Sequence, residues 1–160
     1  MRPGQILVAD HEGVYIIKMT GDVRLTLCIS FDQFIDSMLA SPIFSSVLFD
    51  LSDAEAVDST TLGLMAKISI LAQEKRDIVP VILANNASIK RILDTMGFAD
   101  IFKIVSRLNV EITPENCLKT IECDEHEVKE KVIEAHRILM GLNEKNHETF
   151  KNLVTMLENS

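Results

Sequence analysis

Four residues with chemistry in their side chains, Asp58-Ser59-Thr60-Thr61, stand between the apolar runs Val47-Leu48-Phe49-Asp50-Leu51 and Leu62-Gly63-Leu64-Met65. An acid beside hydroxyls can cap a helix, act as a nucleophile, or accept a phosphoryl group. As a cap, Asp58 or Ser59 accepts bonds from the unpaired N–H groups of a first helical turn, worth about 1 kcal/mol. One such side chain suffices for a cap, and here there are four. The same helix end favours added negative charge by roughly 0.3–1 kcal/mol. A phosphoryl group there is tolerated by the fold, while its added charge of about −1.5 to −2 acts on whatever docks. Gly63, three residues after Thr60, lies on nearly the same helix face and leaves it flat. The pattern predicts an exposed docking patch whose charge another protein can change.

Other chemistries lack support. Ser59 is not in a GxSxG elbow, and nothing in the sequence marks a histidine as its base. His11, His126, His136 and His147 are scattered, and the adjacent side chains of Glu122-Cys123-Asp124-Glu125-His126 diverge around a helix start. Neither GxxxxGK[ST] nor GxGxxG occurs. No catalytic residue, metal or cofactor is expected, and the chain is read as a non-enzyme.

The elements that position the hydroxyl cluster follow from periodicity. Ile6–Ala9 and Val14–Met19 read as a hairpin around Gly13, with Gly21-Asp22 breaking the second run. Leu27, Phe31, Phe34, Ile35 and Met38 mark a helix that stops near Ser41-Pro42. Val47–Leu51 reads as a central strand, and residues 59–75 as a second helix. Val79–Ala84 forms a further strand with Pro80 near its start. Ile89, Ile92, Leu93 and Met96 describe a third helix ended by Gly97, and Ile101–Val105 a last strand. This predicts an α/β mixed sheet with right-handed crossovers.

Texture changes over Asn109–Pro114. Beyond it Val128, Val132, Ala135, Leu139 and Leu142, then Phe150, Leu153, Val154 and Leu157, predict two helices hinged at residues 141–143 and no further strand. Asp124 with Glu127 suits a capping box. The chain of 160 residues thus divides into residues 1–110 and a helical extension, residues 111–160. A net charge of −8 disfavours nucleic acid and anionic membranes. No run is long and apolar enough to span a bilayer, and no signal peptide is recognisable. Cys28, Cys117 and Cys123 read as reduced thiols of a cytoplasmic protein.

Residues 5–107 resemble the STAS domain of bacterial anti-sigma factor antagonists. The resemblance is carried by Val47–Ser52, then Val57-Asp58-Ser59-Thr60-Thr61-Leu62-Gly63-Leu64, which is similar to the D-S-[ST]-x-L-G signature. Ile89–Phe102 is similar to the family's third helix and its ending. The resemblance implies a STAS-like sheet of four to five strands with interleaved helices. It also implies partner switching. The unmodified antagonist binds an anti-sigma factor that is also a serine kinase of the GHKL type. Phosphorylation releases it, and a PP2C-type phosphatase, in some pathways part of a response regulator, restores it. Carried over by position, Thr60 is the acceptor, with Ser59 as the alternative. Asp58, Ser59, Thr60, Thr61, Gly63, Leu64 and Lys67 form the partner surface. Threonine stands where serine is usual, and Arg24 stands where the family often has an acid, with Asp22 nearby. The extension resembles a subgroup controlled by response regulators. Its role is to cover the domain or to form a partner or homodimer contact. A structural STAS subunit of a membrane lipid-transport ABC complex is the alternative reading; a small-ligand module ranks last, having no pocket signature in the sequence.

Overall fold

Glu12 and Gly13 both take positive φ, 54° and 92°. That pair of left-handed residues makes the tight turn whose twist matches antiparallel strands. It joins β1 (Gln5–His11) to β2 (Val14–Val23), paired from Gln5↔Thr20 to His11↔Val14. The computed structural model describes residues 2–108 and 116–160. Gly21 does not end β2, as the sequence suggested. At φ 69° it lies beside a register shift, and the strand continues to Val23 through this bulge. A glycine is required there, since a side chain would collide with the backbone of Pro3.

A 3-10 turn (Leu25–Leu27) leads into α1 (Cys28–Ala40), which buries Phe31, Ile35 and Met38 at the predicted spacing. The chain returns as β3 (Ser46–Val57), parallel to β2 and seven residues longer than the run Val47–Leu51. Its pairing with the long β2 extends it directly to Asp58, so no loop intervenes before α2 (Ser59–Arg76). β4 (Val81–Leu83), α3 (Ala87–Thr95) and β5 (Lys103–Val105) follow, with Gly97 at φ 82° just past α3. Pro80 falls outside β4, and its carbonyl accepts from the Lys103 N–H.

Among the described residues six strands form one sheet in the order β5-β4-β3-β2-β1-β6. The last, β6 (Asn116–Cys117), pairs antiparallel with β1 and was not foreseen; two residues carry no periodicity. The expected division near residue 110 lies outside the described residues. The extension forms α4 (Glu125–Met140) and α5 (Glu144–Glu158), hinged where the sequence placed the hinge. Asp124 caps α4 by accepting from the Glu127 N–H at 2.8 Å. Among the described residues no helix is long and apolar enough to cross a membrane.

The core is continuous across the sheet, α1, α2 and the inner face of α4. Phe49 on β3 is fully buried and meets Phe102 edge-to-face at 5.8 Å. Replacing Phe49 by Ala is expected to lower unfolding free energy by about 3–5 kcal/mol, measured by urea titration.

Candidate partner-docking site at the start of α2

The start of α2 is fixed from both sides. The Asp58 N–H donates to the Val23 carbonyl at 3.0 Å, which ties the strand end to the edge of β2. The Asp58 carboxylate then accepts from the Thr61 N–H at 2.9 Å, the expected cap. The other hydroxyl residues of the cluster have separate surroundings. Thr60 and Thr61 are 2% and 1% exposed, and Leu64 belongs to the core. Ser59 is half-buried and turns toward the extension.

The expected exposed patch is covered. Helix α4 lies across α2, and the contact runs along Ser59, Gly63 and Lys67, one four-residue ridge of the helix. A methyl group on Gly63 would sit 2.7 Å from the Ala135 Cβ and closer still to the Ala135 carbonyl oxygen. The flatness that suits a partner is therefore what admits α4 to backbone contact. At one end of the ridge, the Ser59 Oγ lies 2.7 Å from His136 Nε2. His136 Nδ1 is 2.7 Å from the Val132 carbonyl. A carbonyl only accepts, so Nδ1 carries the hydrogen, and in the neutral ring Nε2 accepts the Ser59 proton. His136 is 2% exposed, and its ring meets Phe150 of α5 at 5.0 Å.

This places a histidine, which nothing in the sequence singles out, against Ser59. Sequence spacing could not reveal it, because the two residues are 77 positions apart. What the sequence does show is that His136 follows Val132 by four and precedes Leu139 by three, on the apolar stripe of α4. A serine hydrogen-bonded to an oriented imidazole is the beginning of a nucleophile. Here the orienting group is a neutral carbonyl of the same helix, not a carboxylate.

At the other end of the ridge four charges close the contact. Lys67 Nζ reaches Asp32 Oδ1 of α1 at 2.8 Å and Glu134 Oε1 of α4 at 2.7 Å. Lys131 Nζ reaches Asp32 Oδ2 at 2.6 Å and Glu134 Oε2 at 3.3 Å. Burial pushes the Asp32 pKa up, but hydrogen bonds and charge from Lys131 and Lys67 outweigh it and hold the carboxyl below its ordinary value. For Lys67, burial pulls down, and Asp32 and Glu134 more than reverse it, so its ammonium is held above the usual range. The Cys28 thiol is pushed up to about 11, chiefly by burial, and so is no nucleophile.

Between the start of α2 and the two tail helices lies an open groove of about 680 Å³. Ser59, Thr60 and His136 reach it, and Leu25, Val128, Val132 and Leu157 supply its apolar walls. This groove has no signature in the sequence, since it arises only when α4 and α5 settle beside Leu25. Asp22, on the neighbouring strand end, is engaged by Arg24 Nε at 2.7 Å. Among the described residues no group of three or more His, Cys, Asp or Glu side chains converges to hold a metal.

The sign of the charge cluster sets a pH test. Because the folded Asp32 carboxyl titrates below its unfolded value of about 3.9, its stabilisation is present above that value. It is lost as pH falls through the depressed pKa. Asp32→Asn is expected to cost about 2 kcal/mol near pH 7. The deficit relative to the parent should shrink as pH falls through that depressed pKa, as read from urea titrations at each pH.

A family model for the STAS domain matches residues 5–110. No curated protein matches the sequence. Among solved structures, the fold is similar to that of an anti-sigma factor antagonist from Mycobacterium paratuberculosis. The TM-score is 0.53 at 23% identity, over 67% of this chain and 89% of that one. With the hairpin, the long central strand and the Asp58-capped second helix in place, the match over residues 5–110 is decisive: this chain belongs to the STAS domain family.

Proposed function

We propose that the protein is an anti-sigma factor antagonist that works by partner switching in the cytoplasm. The observation that carries this reading is the capped acid–hydroxyl turn, Asp58 through Thr61, at the amino end of α2 directly after the central strand. Membership of the STAS family and the likeness to a structure described as an antagonist support it. The STAS unit comprises residues 1–110 and the regulatory extension residues 111–160. In its unmodified state the α2 face binds an anti-sigma factor that is also a GHKL-type serine kinase. Phosphorylation at Thr60, or at Ser59, ends that complex, and a PP2C-type phosphatase carried by a response regulator reverses it.

The chemistry asked of this chain is small. The kinase supplies ATP, metal and base; the acceptor supplies a hydroxyl at a positive helix end. An added phosphate gains from that end but places about −1.5 to −2 charge beside Asp58 in the contact surface. Like charges brought together across a desolvated interface cost several kcal/mol, enough to separate the partners. Both binding and phosphorylation at this face require α4 to leave it, because Thr60 is buried and Ser59 is bonded to His136.

The test is phosphosite mapping after incubation with the cognate anti-sigma factor kinase, with pull-downs of Thr60→Ala, Thr60→Glu and Ser59→Glu. The mark is expected on Thr60 or Ser59. The matching Glu variant should lose at least about tenfold in affinity, equivalent to about 1.4 kcal/mol. Parent-like binding by both Glu variants would refute charge control at this helix end.

A further inference from the structure

We infer that the α4–α5 extension is an intramolecular occupant of the α2 docking face, so that this structure is the closed form of the protein and partner access is governed by release of its own tail. The inference rests on the reading of the α2 face as the docking surface, and adds what controls it.

Three observations select this occupant over simple coverage of a domain surface. First, the contact falls on Ser59, Gly63 and Lys67, the ridge that the partner would have to touch. Second, each of these residues is matched by a different kind of contact from α4. Ser59 has a hydrogen bond from its hydroxyl to His136, Gly63 has backbone contact at Ala135, and Lys67 has an ion pair with Glu134. Third, the family unit ends at residue 110, before either tail helix begins. The similar solved structure is matched over 89% of its own length by only 67% of this chain.

The attachment is also of a kind that can be undone. Its polar part is the pair Ser59–His136 and the cluster Asp32–Lys67–Lys131–Glu134, whose groups all find water when α4 leaves. The second tail helix is held at its amino end by Asn143 and Asn146, whose side-chain amides donate to the Met96 carbonyl at 3.4 and 2.9 Å. Release therefore pivots near the end of α3, while α4 swings off α2. A partner that binds only the open form meets an apparent affinity reduced by the open fraction. Weakening the tail contact raises that fraction without any change in the partner's own surface.

Hydrogen exchange of the full chain reads the closed form without a partner. In the parent under mild denaturant, amides of residues 128–140 should open before those of residues 47–51 in the central strand, because α4 frays once it leaves α2. Ala135→Leu puts bulk against Gly63, and the double variant Lys131→Ala with His136→Ala removes polar attachments without adding bulk. Each is expected to raise exchange at residues 128–140 by at least about tenfold while residues 47–51 keep their protection. If the tail and the central strand lose protection only in one common event, in the parent and in the double variant alike, the extension is part of the folding core and the inference is overturned. A separate arm uses the anti-sigma factor kinase: the opened variants should be phosphorylated at least about tenfold faster than the parent. Exchange that opens as stated with no kinase capture by any variant would fail the switching reading and leave the closed form standing. Equal phosphorylation of parent and opened variants would overturn control by the tail.

Discussion

A glycine in the fifth position of a long helix sets the separation of everything packed at the start of α2. In an exposed helix Gly63 would cost about 1 kcal/mol relative to alanine. Here any side chain would occupy the space of the Ala135 carbonyl. The helices α2 and α4 therefore approach at backbone distance, and only at that distance do the short contacts beside it close. The Ser59 hydroxyl is one atom beyond its Cβ, so a 2.7 Å bond to His136 demands nearly touching helices. Lys67 and Lys131 are long and reach across the wider part of the crossing to share Asp32 and Glu134.

The polar groups at this crossing are satisfied, including the buried Asp32 and His136. Among the described residues every buried side-chain nitrogen or oxygen has a hydrogen-bond partner. An unsatisfied buried group would cost about 1–3 kcal/mol and would make the contact fragile in a different sense, by favouring unfolding. Glu134 and Ser59 remain part-exposed, while Asp32 and His136 are buried, so the ion pairs of Lys67 and Lys131 offset a real desolvation cost. Attraction and desolvation of this kind largely cancel, which leaves a contact specific in geometry and moderate in strength.

Which parts of this arrangement were legible in the sequence follows from what periodicity encodes. The hairpin at Gly13, the helix buried through Phe31 and Ile35, the cap at Asp58 or Ser59 (in the structure Asp58) and the hinge after Gly141 are each local. Their signals lie within one turn or one strand, and the structure has them all. Gly21 was read as a break because a glycine in a strand and a glycine ending a strand look the same until the neighbouring strand is known. The length of β3 was missed for the same reason, since residues 53–56 alternate weakly and are strand only because β2 runs beside them. The tail helices were legible as amphipathic, but an apolar stripe states that a face is buried and not what buries it. The Ser59–His136 bond, 77 residues apart, carries no local trace at all.

The four residues Asp58 to Thr61 thereby separate into distinct duties. Asp58 alone closes the helix end, and the other three are free of that role. Thr61 faces the interior. Ser59 belongs to the contact with α4. Thr60 is buried, yet it lines the groove between α2 and the tail, so a motion that broke the Ser59–His136 bond would widen the groove at Thr60. A hydroxyl inside the folded domain proper would be reached only by unfolding it, at the full stability of several kcal/mol. A hydroxyl beneath a detachable helix is reached at the smaller cost of a local opening. The contact between the domain and its extension thus runs beside the residues on which the proposed charge switch would act, and the cover and the proposed acceptor depend on the same helix end.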